Sequence, residues 1–179
     1  YLSPDSVYQY NSLTGLNDNY VYTITQGPQG AIWMGTDNGI AVHKNGDFRF
    51  ITMKDGLPDN IVKKLLFDKN GILWIGMEQG LASYNPESGK FTPVGNWQWG
   101  TINTFVRMWP DEFWVSTKQN GIARVSMEND TTITRVFMKK DGLLSNKTST
   151  IFRDSEYNIW IGTQGGVTQY TGDMVEFMN

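Results

Sequence analysis

Apolar residues along this chain come in short alternating runs, each ended by a glycine-rich turn. Ile32-Trp33-Met34-Gly35-Thr36 is one such run and Leu73-Trp74-Ile75-Gly76-Met77 another. Runs of this length suit strands, and nothing sustains the helical spacing of apolar positions. The stretch from Val62 to Tyr84 shows the predicted order of elements. A strand spans Val62 to Phe67, and Asp68-Lys69-Asn70-Gly71 forms a turn. A second strand carries Trp74, a turn ends at Gly80, and a third strand spans Leu81 to Tyr84. Asn85-Pro86-Glu87-Ser88-Gly89 then turns the chain into a fourth strand around Phe91. Lys44-Asn45-Gly46-Asp47 does the same earlier, with a strong Asn-Gly hairpin signal.

This unit recurs. Trp33, Trp74, Trp114 and Trp160 align at steps of 41, 40 and 46 residues (33 to 74, 74 to 114, 114 to 160). Phe113-Trp114-Val115-Ser116-Thr117 and Ile159-Trp160-Ile161-Gly162-Thr163 repeat the pattern around the indole. Gly39-Ile40, Gly80-Leu81, Gly121-Ile122 and Gly166-Val167 follow each one. Upstream, Gly15-Leu16-Asn17-Asp18-Asn19, Gly56-Leu57-Pro58-Asp59-Asn60 and Gly142-Leu143-Leu144-Ser145-Asn146 match. The third unit keeps only the last residue, as Asn103. Gly95-Asn96-Trp97-Gln98-Trp99-Gly100 stands where its Gly-Leu should be. Its first hairpin is also short, with 11 residues from Asn103 to Trp114 against 14 from Asn60 to Trp74. Four antiparallel strands in about 40–45 residues is the size of a β-propeller blade. The fold class expected is therefore all-β, with four propeller blades. Residues 11–54, 55–94, 95–140 and 141–179 form them, the third being degenerate. Val7-Tyr8-Gln9-Tyr10 resembles Phe91-Thr92-Pro93-Val94, so residues 1–10 are expected to supply the last strand of a preceding blade.

Composition narrows the function. The 179 residues include 19 Gly and 13% aromatics, in keeping with short strands and tight turns. A net charge of −3 with no basic stripe argues against nucleic acid. With no Cys, disulfide scaffolds, thiolate metal sites and Cys nucleophiles are excluded. No apolar run is long enough to span a membrane. Tyr1-Leu2-Ser3-Pro4-Asp5 lacks the features of a signal peptide, and the chain is expected to be cut from a longer one.

The motifs resemble the two-component regulator propeller repeat, roughly D-G-L-P-x-N-x-V-x-x-I-x-x-D-x-x-G-x-L-W-I-G-T-x-x-G-L-x-x-Y. Asp55 to Tyr84 follows it almost throughout, and the unit from Asp141 follows it well. The resemblance implies the periplasmic sensor region of a hybrid two-component system of gut Bacteroidetes. Such regions respond to oligosaccharides and signal to a histidine kinase. It further implies propellers of about seven blades, so that this chain is a partial ring. An immunoglobulin-like domain, a membrane helix and the kinase would follow. The remaining blades and downstream receptor domains are then partners, and a homodimer is conceivable.

Trp33, Trp74, Trp114 and Trp160 are expected to pack between blades. Asn19, Asn60, Asn103 and Asn146 are expected to tie the segment leading into each first strand by side-chain-to-backbone hydrogen bonds. His43 is the only histidine and has no second imidazole beside it in sequence. Asp68-Lys69-Asn70-Gly71 lacks the bidentate Glu of a calcium loop. No catalytic residue, metal or cofactor is therefore assigned. Asn129-Asp130-Thr131 and Asn146-Lys147-Thr148 fit the glycosylation triplet, which arises often by chance.

In an up-and-down blade, the segment before strand one shares a face with the turn between strands two and three. Asn96, Trp97, Gln98 and Trp99 thus fall beside Glu78 and beside Lys118, Gln119 and Asn120. Indole platforms with amides and carboxylates suit sugar C–H faces and hydroxyls. These eight residues are the candidate ligand site. Two other uses remain open: a protein-protein or interdomain contact, and simple packing of an irregular blade joint. At the level of the molecule, the alternatives to an oligosaccharide sensor are a structural or dimerisation propeller and a propeller enzyme such as a lyase.

Overall fold

The computed structural model describes residues 7–95, 97–109, 112–126 and 132–171. Fifteen strands fall in four separate antiparallel sheets, each a simple up-and-down meander. The first sheet is β1 (Val21–Gln26), β2 (Ile32–Thr36), β3 (Gly39–Lys44) and β4 (Asp47–Ile51). The second is β5 (Val62–Phe67), β6 (Leu73–Met77), β7 (Gly80–Asn85) and β8 (Lys90–Pro93). The third is β9 (Ile102–Trp109), β10 (Glu112–Thr117), β11 (Ile122–Ser126) and β12 (Thr132–Phe137). The fourth holds β13 (Thr148–Arg153), β14 (Ile159–Thr163) and β15 (Gly166–Tyr170). The fourth strand expected of this last unit lies outside the described residues. Val7 to Tyr10 form no strand among the described residues, although Tyr10 packs on His43 and Phe48.

Burial follows strand position. All of β6 and β10 is buried, because the second strand has a blade on either side. The outer strands β4 and β8 are mostly exposed or half-buried. Three hydrophobic clusters lie between successive blades. Trp33, Ile40, Leu57, Val62 and Ile75 join the first two; Trp74, Ile102, Phe105 and Phe113 join the next pair; Trp114, Leu143, Ile151 and Ile161 join the last. Close approach of the sheets rests on glycine in the second strand. A Cβ on Gly76 would stand 2.8 Å from Ile102 and 3.1 Å from Phe105.

The Asn45-Gly46 hairpin takes positive φ at both residues, 52° and 94°, as a type I′ turn requires. The short hairpin of the third unit is also explained. Glu112 pairs with Trp109, so only two residues turn the chain between β9 and β10. Trp109 therefore ends a strand, and its ring stacks on Tyr157 of the next blade at 5.7 Å.

Candidate ligand-binding face

The segment before each blade explains much of the repeated motif. Between β4 and β5, Asp55 accepts the Thr52 N–H at 2.9 Å, and Asn60 Oδ1 accepts the Met53 N–H at 2.9 Å. Gly56, at φ 97°, reverses the chain and delivers Leu57 into the joint between the first two blades. Asp141, Asn146, Gly142 and Leu143 repeat the arrangement before the fourth blade. Asn19 bonds Ser12 in the same way, through both its backbone N–H and its hydroxyl. Asn103 differs: its amide donates to the Thr148 carbonyl of the next blade.

The third unit has no such leucine, and Trp97 takes its place. The indole packs partly buried against the joint of blades two and three, 3.6 Å from where a Cβ on Gly80 would be. Its N–H donates to the Gly100 carbonyl at 2.7 Å. Trp99 stands edge-on to it, centroids 5.6 Å apart, half-buried. The Asn120 amide donates to the Trp99 carbonyl at 3.0 Å, and the Lys118 N–H donates to the Thr101 carbonyl. Trp97, Trp99 and Asn120 are thus brought together, next to the turn that carries Glu78. Gln98, Lys118 and Gln119 lie exposed in these same two segments. Asn96 lies outside the described residues.

A second group on this face lies outside the repeated motif. Tyr22 at the start of β1 donates its hydroxyl to Asp37 Oδ1 at 2.7 Å, and the Lys63 ammonium sits 3.4 Å over its ring. Lys63 also reaches Asp37 at 3.8 Å. Tyr20 is 61% exposed, and its ring lies 4.7 Å from that of Tyr22. Burial, then the hydrogen bond and charge of Asp37, with a smaller contribution from Glu78, push the Tyr22 phenol up to about 12. The turn Glu78–Gly80 therefore lies between two aromatic groups, Tyr20/Tyr22 on one side and Trp97/Trp99 on the other. Tyr20, Tyr22, Asp37 and Lys63 stand outside the eight residues expected from the sequence.

The four repeated tryptophans are placed unequally. Trp33, Trp74 and Trp114 are at most 5% exposed, whereas Trp160 is 38% exposed. Trp33 meets Phe67 and Tyr84 of the following blade, and Trp74 meets Phe113. Nothing described follows the fourth blade to cover Trp160. Three of the indole N–H groups are capped by carboxylates: Trp74 by Asp68, Trp114 by Glu112 and Trp160 by Asp154. Among the described residues, no three His, Cys, Asp or Glu side chains converge as metal ligands would. No described helix is long and apolar enough to cross a membrane.

Residues 15–38, 56–79 and 142–165 match the two component regulator propeller family, and the third unit lies outside the match. Among solved structures, the chain is similar to the extracellular domain assigned to hybrid two component system BT3049 of B. thetaiotaomicron. Identity is 27% and the TM-score 0.74, over 90% of this chain and 22% of that one. The extracellular domain of BT4673 from the same organism, assigned as a one component system, gives 25% identity and a TM-score of 0.75 over 91% and 23%. Virginiamycin B lyase from Staphylococcus aureus shares the fold, at 18% identity and a TM-score of 0.63 over 87% and 57%. This chain thus spans under a quarter of the length of the extracellular domains it resembles. A search among curated proteins finds no match.

Proposed function

We infer that this chain, built from two-component regulator propeller repeats, is a ligand-sensing segment of an extracytoplasmic receptor propeller, and that its ligand is an oligosaccharide. In this reading the segment lies in the periplasm and belongs to a larger ring. Residues 1–10 complete a neighbouring blade, and the signal passes to a histidine kinase elsewhere in the protein. Ligand binding would act by biasing the receptor's domain arrangement.

The observation that carries the reading is the aromatic and amide-rich face. Trp99 offers a half-buried ring in a segment pinned by Asn120, and the exposed amides of Gln98 and Gln119 flank it. A fixed ring with hydrogen-bonding groups beside it is what stacking on a sugar requires. Trp97 is the anchor of this platform, since its N–H is already spent on Gly100. Similarity to the extracellular domain of a two component system favours recognition without chemistry; the lyase likeness is one of fold alone.

Calorimetric titration of the intact receptor ectodomain with a panel of plant and host oligosaccharides tests this. At least one should bind saturably, and Trp99→Ala should weaken it tenfold or more with the melting temperature unchanged. Binding that is indifferent to Trp99→Ala, Gln119→Ala and Lys118→Ala together would move the site off this face.

A further inference from the structure

On the opposite face, between blades one and two, the turns of both blades enclose a cleft of about 520 Å³. Pro28, Ala31, Val42 and Trp33 give it an apolar lining. Lys44, Asp47, Arg49 and Glu87 bring charges of both signs, and Asn70 and Asn85 bring amides. The size falls in the range of small-molecule sites.

Trp33, whose ring lines this cleft, is the exception in the indole capping described above. Asp68 and Asp154 stand six positions before their tryptophans, and that position in blade one is Gly27. Trp33 is 3% exposed, and its Nε1 has no hydrogen-bond partner. A buried N–H of this kind has given up water without gaining an acceptor, which is costly to the fold. The ring has also moved into the space of the missing side chain: a Cβ on Gly27 would lie 2.5 Å from Trp33 Nε1.

Blade three shows what completes such an arrangement. Glu112 accepts the Trp114 N–H through Oε1 at 2.7 Å and the Arg124 guanidinium through Oε2 at 2.5 Å. Its carboxylate bridges an indole and a guanidinium. In blade one Val42 stands opposite the indole where blade three has Arg124, and the guanidinium comes instead from the fourth strand, with no carboxylate at the Gly27 position to join the two. Register places Trp33, Val42 and Arg49 in one cross-strand row, with the Arg49 guanidinium carbon 5.9 Å from the Trp33 ring.

We propose that this cleft binds a small carboxylate-bearing ligand, whose carboxylate bridges Trp33 Nε1 and Arg49 as Glu112 bridges Trp114 and Arg124. Lys44, now donating to Gln29 at 2.6 Å, lies at the rim as a second cation. Nε1 is closed against Gly27 and Phe67, so the ligand draws the indole back from Gly27 as it binds. The bridging bonds are charge-assisted and among the stronger hydrogen bonds available to a protein.

D-Glucuronate and D-glucose are the probes, because they share a ring and differ in the carboxylate. The intact protein should bind glucuronate saturably with a change in tryptophan fluorescence, and glucose at least tenfold more weakly. Arg49→Gln, a change at an exposed side chain, and Trp33→Phe, which keeps a ring but removes the N–H, should each weaken glucuronate about tenfold. Arg49→Gln decides the matter alone if Trp33→Phe fails to fold. Equal binding of glucose, native-like binding by Arg49→Gln, or no saturable glucuronate binding would each overturn the proposal. The Trp33 N–H would then be satisfied by the Phe67 ring it meets edge-on.

Discussion

Trp97 and Trp99 sit two residues apart and do different work. Trp97 fills a blade joint, so Trp97→Ala should cost roughly 2 kcal/mol, less than a fully buried Trp. Chemical denaturation measures it, and a neutral result would mean the joint does not depend on the ring. The carboxylate caps have a pH signature. Hydrogen bonds from Trp160 first, then from Asn158 and Glu156, hold the Asp154 carboxyl below its usual value near 3.8. A depressed folded-state value stabilises the fold above the unfolded value, and that contribution fades as pH falls through the folded one. The native melting temperature should therefore drop on acidification below about pH 4 more steeply than that of Asp154→Asn. Parallel profiles would remove Asp154 from the account.

At the scale of the element, the segment leading into each blade and the glycine in the second strand of three blades (Gly35, Gly76 and Gly162) set the spacing. Asn60→Ala frees the Met53 N–H at an exposed position, where water takes over as acceptor, and should cost about 0.5–1 kcal/mol in denaturant unfolding. Gly76→Ala pushes a methyl into Ile102 and Phe105 of the next blade, for about 1–3 kcal/mol. Strand order and turns could be read from the chain because glycine, Asn-Gly and the alternating apolar runs each act locally. The Trp97 plug could not. It replaces a leucine by a residue of another size, two positions from a second indole, and only the packed joint shows which ring is the anchor. Tyr20, Tyr22 and Lys63 were illegible for a related reason. They meet Asp37 across a blade boundary, and repeat alignment compares equivalent positions, whereas these are neighbours only in space.

Across the whole molecule, three apolar joints link successive blades, and among the described residues both end blades carry exposed apolar side chains on their outer faces. Phe152, Trp160 and Val167 are exposed on the fourth blade, and Phe152 lies directly opposite Trp160. On the first blade, Ile24 and Phe50 are exposed in one row with Met34. Surfaces of this kind associate when uncovered, and four tryptophans equivalent in sequence are unequal in burial because no described residue covers the last. In the intact ectodomain, further blades should shield Trp160, and acrylamide should quench it no better than Trp74; free quenching would argue for an open arc. The central claim is that the face carrying Trp99 receives an oligosaccharide. Its most direct test is a crystal structure of the intact ectodomain grown with the oligosaccharide that binds it. The account predicts a sugar ring stacked on Trp99 within reach of Gln98 and Gln119. A sugar bound elsewhere, with this face bare, would contradict it and leave the two tryptophans as a blade joint.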